Sequence, residues 1–287
     1  MKNFYRLIAD SGSTKTQWAL ISKDGVLSSF RTGGINPFQQ CDEEIKLLIK
    51  NELLGSFESD DIDRIHFYGA GCRDERGRAV ASLLRELFPA ASTVEVASDL
   101  LCAARALCGG REGVACILGT GSNSCLYDGC GIVENVSPLG YVLGDEGSGA
   151  VLGRRLLGDV LKQQLPAEVC AAFREAYPYT PAEIIERVYR KPLANRFLAG
   201  FVPFLSSYRQ NEAVQALIVD EFERFFKRNV ATYARPDLSV SFVGSVAYYL
   251  REELEAAAGR CGFRVGTVLR EPLPLLCERY IQNWQAG

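Results

Sequence analysis

Two short segments of this chain, Ile8-Ala-Asp-Ser-Gly-Ser-Thr14 and Ile117-Leu-Gly-Thr-Gly-Ser-Asn123, share one design. Each runs from apolar, strand-like residues through a tight Gly/Ser/Thr/Asn turn and out into a second extended stretch. A small unit written twice about 110 residues apart implies two half-molecules of similar architecture facing each other. With 287 residues the chain is long enough to give each half its own core.

The first third alternates strands and helices. Phe4 to Ala9 is a strand, Thr16 to Ser22 a second, and Val26 to Thr32 a third that closes a meander through Asp24-Gly25. Residues 42–54 carry apolar positions at helical spacing behind an acidic first turn. Arg64 to Ala70 reads as a buried strand, 74–88 as a helix and Thr93 to Ala97 as a strand. Ser98-Asp99 then opens a helix over Leu100 to Leu107. The GGREG stretch at 109–113 marks a boundary, and a fresh strand begins at Val114, entering the second turn and leaving through Ser124 to Tyr127. Residues 147–235 are dominated by helices broken by prolines at 166, 178, 181, 192 and 203. A strand over Leu238 to Val243, a helix over Val246 to Ala258, a strand over Phe263 to Leu269 and a final helix from Leu273 to Trp284 complete the chain.

Composition narrows the function classes. A net charge of −3 gives no electrostatic reason for a nucleic-acid partner. No apolar run reaches the roughly 18 residues of a membrane span, and the N-terminus lacks a signal-peptide pattern, so the expected location is the cytoplasm. The ten cysteines are dispersed without a C-x-x-C pair, most in apolar surroundings, as expected of buried reduced thiols. The single histidine, His66, sits inside the apolar run 64–68. Acid–base chemistry therefore falls to carboxylates.

The turn Asp10-Ser11-Gly12-Ser13-Thr14-Lys15-Thr16 offers backbone N–H groups, hydroxyls and a lysine to an anion. Asp10, at the strand end, is a hard oxygen donor suited to Mg²⁺ through water. A strand follows rather than a helix, and the Walker A spacing is absent. Either turn alone can be an ordinary hairpin; two matched turns can grip one phosphate from each side.

D-x-G-x-T-K-T near the N-terminus, G-T-G-S-N at 119–123, L-G-D-E-G-S-G at 143–149 and G-S-V at 244–246 resemble the phosphate and adenosine motifs of the sugar kinase/Hsp70/actin superfamily. The branch most resembled is the N-acetylglucosamine kinase family, grouped with the BadF/BadG/BcrA/BcrD-type ATPases. The resemblance implies an α/β fold of two RNase-H-like (actin/hexokinase-type) domains hinged about a nucleotide cleft. The first would span 1–112 plus a C-terminal helix from about 270 to 287, and the second 113–269 with a helical insertion. It implies an ATP-dependent, Mg²⁺-requiring phosphotransferase acting on a hexosamine such as N-acetylglucosamine. Gly12, Ser13, Thr14 and Lys15, with Gly119, Thr120, Gly121 and Ser122, would bind ATP phosphates; Gly244 and Ser245 would lie against adenosine. Asp99 would be the base that accepts the sugar hydroxyl's proton, and Asn36, Asp99, Asn123, Gly140 and Asp145 would contact the sugar.

Each of these positions also has a plainer reading: a helix N-cap for Asp99, a helix-dipole partner for Asp145-Glu146, turn chemistry for Asn36, and a strand–helix turn for Gly244-Ser245. The pattern departs from the family at Ser11 and Ser13, where relatives often carry glycine. It departs again at Pro138-Leu139-Gly140, where vertebrate-type relatives have G-W-G, and at Arg270-Glu-Pro-Leu-Pro274, which replaces a G-A-x-x-G-A segment. The partner expected is a small-molecule sugar, and a homodimer is compatible with it. Two alternatives stay open. One is an ATPase activator of a partner enzyme, which would need a cysteine pair at a subunit interface; Cys125 and Cys130 are the pair to check. The other is a non-catalytic nucleotide or sugar sensor. The kinase reading requires the two turns to converge on a shared crevice with Asp99 pointing into it.

Overall fold

The structure, a computed structural model, describes residues 4–12, 15–57 and 59–286. Ser13 and Thr14 of the first turn lie outside the described residues. The chain divides into two compact units, Met1–Gly109 with Pro272–Gly287, and Gly110–Glu271.

In unit 1 the strands are β1 (Tyr5–Ser11), β2 (Lys15–Ser22), β3 (Gly25–Gly33), β4 (Ile62–Gly69) and β5 (Thr93–Ser98), in sheet order β3-β2-β1-β4-β5. The first three form an antiparallel meander, while β4 runs parallel to β1 and β5 parallel to β4. Successive residues of β1 serve opposite faces, as strand geometry requires. Leu7 and Ala9 pack with Ile45, Ile49, Val80 and Leu84 of the helices Asp42–Glu52 and Asp74–Leu87. Ile8 faces the other way, with Cys102 and Ala106 of the helix Asp99–Cys108 and Leu276 and Cys277 of the C-terminal helix Leu273–Ala286. Burial on both faces explains why β1 and β4 read as continuous apolar runs rather than alternating ones.

Unit 2 repeats the plan. Its strands β6 (Gly113–Leu118), β7 (Ser122–Tyr127), β8 (Ile132–Glu134), β9 (Val240–Val243) and β10 (Val265–Leu269) are ordered β10-β9-β6-β7-β8. Renumbered within the unit, that is again 3-2-1-4-5, with an antiparallel meander and two parallel additions. The repeated hairpin of the sequence is therefore the β1–β2 corner of one RNase-H-like sheet and the β6–β7 corner of another. The helical insertion lies between β8 and β9 and builds one core with the sheet, from Leu156 and Phe173 through Phe204 and Phe222 to Phe242. Its prolines mark helix starts: Pro166 caps Ala167–Ala176, and Pro181 opens Pro181–Tyr189 behind a Thr180 N-cap.

Three local features differ from the sequence expectation. β8 is an edge strand of only three residues, too short to leave a periodic signal. The helix expected over 246–258 is two helices, Ser245–Tyr249 and Arg251–Arg260, broken at Leu250. The second turn is tighter than its sequence suggests, because β7 begins at Ser122 and takes Asn123 into the ladder opposite Ile117. Among the described residues no disulfide joins the cysteines; most are buried, whereas Cys41 and Cys130 are exposed. Cys125 is fully buried in β7, so Cys125 and Cys130 do not form a presented pair. Among the described residues no helix is long and apolar enough to cross a membrane.

Candidate active site

In unit 1 the parallel strands deliver the candidate residues to one edge. Ser11, Gly69 and Ser98 are aligned in register across β1, β4 and β5, with Asp10 beside Tyr68 and Ala97. Two strand spacings put the ends of β1 and β5 about 10 Å apart, so Asp10 and Asp99 lie at the same carboxyl edge of the sheet with β4 between them. Both carboxylates act electrostatically on the buried Cys102 thiol, which burial itself pushes well above its ordinary range. Burial, joined by the Asp99 charge, likewise pushes the Cys72 thiol up to about 12.

The first turn is closed by the Gly12 amide donating to the Lys15 carbonyl at 3.0 Å. Ser11, the departure from glycine, is fully buried and faces inward. Its Oγ lies 2.7 Å from Thr16 Oγ1 and accepts from the Ile35 amide at 3.0 Å, which ties the hairpin to the segment carrying Asn36. The sequence reading missed this tie. Asn36 is 9% exposed, and its Oδ1 accepts from the Phe38 amide at 2.9 Å, so the turn role expected of an asparagine is realised. That oxygen also lies 2.9 Å from where a Cβ on Gly71 would sit, placing Asn36 against the loop that leaves β4.

Asp99 is not the cap of its helix. Ser98 is, its Oγ accepting from the Leu101 amide at 3.2 Å. Asp99 occupies the first helical position, half-buried, with Oδ1 accepting from the Leu100 amide at 2.9 Å. Burial raises its carboxyl above the ordinary aspartate range, and the Leu100 amide and the Arg73 charge pull partly against that shift. A carboxylate raised in this way is a stronger base than a solvated one. Arg73, which contributes to this balance, carried no motif in the sequence.

In unit 2 the second turn closes through the Gly119 amide on the Gly121 carbonyl at 2.9 Å. The D-E-G-S-G segment folds down onto it. The Gly149 amide donates to the Gly119 carbonyl at 2.8 Å and the Ala150 amide to the Thr120 carbonyl at 3.0 Å. Ser148 caps the helix Gly149–Leu161 through the Val151 amide. The positive end of that helix therefore lies against the turn, which favours an anion there. Asp145 sits above Gly121: a Cβ on that glycine would lie 3.2 Å from Asp145 Oδ2, and the Ser122 amide donates to Oδ1 at 3.4 Å. Burial raises the Asp145 carboxyl to about 6, a shift that the Ser122 amide opposes and Glu146 reinforces. Asn123 spends its Oδ1 on Asn135 Nδ2 at 2.9 Å and on the Ser124 amide at 3.0 Å. Gly140 is exposed and opens the short helix Gly140–Leu143.

Gly244 follows β9 with φ +127°, and a Cβ there would stand 2.2 Å from the Leu118 carbonyl, so the G-S-V turn packs directly against the exit of β6. Beside it opens a cavity of about 620 Å³ whose lining includes Gly119, Thr120, Val202, Pro203, Ser245 and Tyr249. Its volume and mixed apolar and hydroxyl wall suit a nucleoside. The Val202 to Ser207 wall comes from the insertion and had no sequence signal. Among the described residues no group of three or more His, Cys, Asp or Glu is placed to hold a metal ion.

The comparisons with known proteins bear on the fold and the family. No protein-family model matches the chain, and no curated protein matches it by sequence. Among solved structures, a candidate N-acetylglucosamine kinase from Porphyromonas gingivalis is 49% identical, with a TM-score of 0.94 over 97% of this chain and 99% of that one. The chain belongs to the N-acetylglucosamine kinase family. More distant structures share the fold alone. A candidate N-acetylglucosamine kinase from Chromobacterium violaceum is 20% identical, with a TM-score of 0.71 over 98% of this chain and 99% of that one. A ROK family glucokinase from Streptomyces griseus, solved with glucose and AMPPNP, is 16% identical with a TM-score of 0.56 over 98% and 100%. The two matched hairpins hold the same place in the two units, each beginning with the unit's first strand.

Proposed function

We propose that this chain is an ATP-dependent sugar kinase that phosphorylates a hydroxyl of a hexosamine such as N-acetylglucosamine. The observation that carries the reading is the placing of Asp99. It stands at the carboxyl edge of the parallel strands β1, β4 and β5, relieved of capping duty by Ser98, with its basicity raised by burial. The kinship at 49% identity over nearly the whole chain supports the reaction class.

In this reading the nucleoside occupies the cavity beside Gly244, Ser245 and Tyr249. The triphosphate runs to Gly119, Thr120, Gly121 and Ser122, with Gly12, Ser13, Thr14 and Lys15 as the other phosphate turn. Mg²⁺, held through water by Asp10, would neutralise phosphate charge when bound. Asp145, Asn36, Asn123 and Gly140 are assigned to the sugar. Asp99 accepts the proton of the attacking hydroxyl as that oxygen bonds to the γ-phosphorus; the bond from phosphorus to the β,γ-bridging oxygen breaks and ADP leaves.

The test is ADP release from purified protein given ATP, Mg²⁺ and a panel of hexoses and hexosamines. Sugar-stimulated turnover that collapses in Asp99→Asn is the expected result. Hydrolysis indifferent to every sugar, or an Asp99→Asn variant as active as the parent, would remove the kinase assignment.

A further inference from the structure

The fold hides an acidic side chain that the reaction itself does not use. Glu221 lies in the middle of the helix Glu212–Arg228 and is 0% exposed. A carboxylate is costly to bury, and its retention calls for an explanation in what its oxygens hold. Oε1 accepts from the Gly147 amide at 3.2 Å, and Oε2 accepts from Arg155 Nη1 at 2.8 Å. Arg155 in turn reaches Asp220 Oδ2 at 2.6 Å, so the guanidinium is itself held in place. The far end of the same helix grips the neighbouring residue: Arg228 pairs with the Glu146 carboxylate, and Asn229 Nδ2 donates to it at 3.3 Å.

These ties converge on one short segment. Gly147 has φ +72°, and a Cβ there would lie within 3.3 Å of Phe225, Leu118 and Phe222, so the segment is wedged between the exit of β6 and this helix. Two residues earlier, Asp145 also holds a left-handed backbone, at φ +52°. A non-glycine residue keeps that conformation only where its surroundings impose it. The Asp145 amide is fixed on the Pro138 carbonyl at 2.8 Å from one side, and the Glu221–Gly147 bond fixes the chain on the other.

We propose that Glu221 is a positioning residue, whose buried carboxylate, braced by Arg155, clamps the Gly147 amide and thereby sets the angle at which Asp145 is presented to the sugar. This rests on the assignment of Asp145 to the sugar. Glu221→Ala is expected to raise the sugar KM about tenfold while the ATP KM moves less than about threefold. Glu221→Gln, which keeps a carbonyl acceptor for the Gly147 amide, is expected to retain most of the parent's sugar KM. Should Glu221→Ala not fold, Arg155→Met, which leaves Oε2 only the longer 3.9 Å contact with Arg224 Nε, is expected to shift the sugar KM in the same direction. A sugar KM unchanged in these variants, when Asp145→Asn raises it, overturns the proposal. If Asp145→Asn leaves the sugar KM unchanged, the sugar assignment of Asp145 fails instead. The clamp is then judged by amide exchange, followed by mass spectrometry on the peptide spanning 144–149. Exchange at least about tenfold faster in Glu221→Ala supports the tie, and unchanged exchange ends it.

Discussion

Asp99 and Asp145 carry the same perturbation, a carboxyl raised by burial, and at both positions function and stability should pull in opposite directions. For Asp99 the functional loss is that of a general base. Asn in its place should lower kcat by about 10² to 10⁴ with little change in ATP affinity, measured by coupled ADP release and nucleotide titration. For Asp145 the folded value of about 6 lies above the ordinary aspartate value of 3.8. The ionised form is thus penalised in the fold, and the stabilising contribution of the protonated form is lost as pH rises through about 6. Asp145→Asn should therefore melt higher than the parent at pH 7.5, by an amount on the order of 1 kcal/mol after screening of a half-buried group. That advantage should fade as pH falls from about 6 toward the ordinary aspartate value of 3.8. Over the same range the parent's sugar KM should rise as pH drops through 6 and the hydroxyl-accepting carboxylate is lost. Thermal melts and KM measured across pH 4.5 to 8 give both curves, and an Asp145→Asn protein less stable than the parent at pH 7.5 would contradict the burial argument.

The elements show which signals sequence carries. β1, β4 and β6 were legible because burial on both faces writes long apolar runs. The helix at 99 was legible because Ser98-Asp99 announces a start, although Ser98 rather than Asp99 turned out to be the cap. β8 was not legible, since three residues at a sheet edge need neither periodicity nor apolar content. The cavity wall from Val202 to Ser207 was illegible for another reason: its place beside Ser245 is fixed by packing across some 40 residues of sequence, which no local pattern encodes. The C-terminal helix is an intermediate case. Its amphipathic residues are plain, but its docking is long-range: Arg279 Nε donates to the Ala106 carbonyl at 2.8 Å, and Tyr280 Oη lies 2.6 Å from Tyr68 Oη. Beside that contact the single histidine finds its role, with His66 Nδ1 2.7 Å from Glu95 Oε2 and Arg105 on the other oxygen. Leu276, 1% exposed against Ile8, Ile21 and Tyr68, anchors the helix. Leu276→Ala should cost about 2–5 kcal/mol, read as a fall in denaturation midpoint with an unchanged denaturant slope.

At the scale of the molecule, the two units use one topology but differ in how the chain supplies it. Unit 2 is continuous, Gly110–Glu271, whereas unit 1 borrows its last helix from the far end of the sequence. Every residue lining the 620 Å³ cavity belongs to unit 2, as do the turn at 119–122, proposed to hold phosphate, and its brace from Ser148 to Ala150. Asp99, the proposed base, belongs to unit 1. Expressed alone, residues 110–271 should therefore fold, with a cooperative melt and helical far-ultraviolet dichroism, and should bind ATP measurably in calorimetry while transferring no phosphate to any sugar. Residues 1–109 alone should behave differently. Without the C-terminal helix, Ile8, Ile21 and Tyr68 lose the cover of Leu273, Leu276 and Cys277, leaving the part of that sheet face not covered by the helix Asp99–Cys108 as exposed apolar surface. That fragment should aggregate, and joining 272–287 to it through a flexible linker should restore solubility. A 110–271 fragment that folds yet ignores ATP would mean that the nucleoside does not sit in the cavity beside Gly244, and the assignment of the phosphate turns would fall with it.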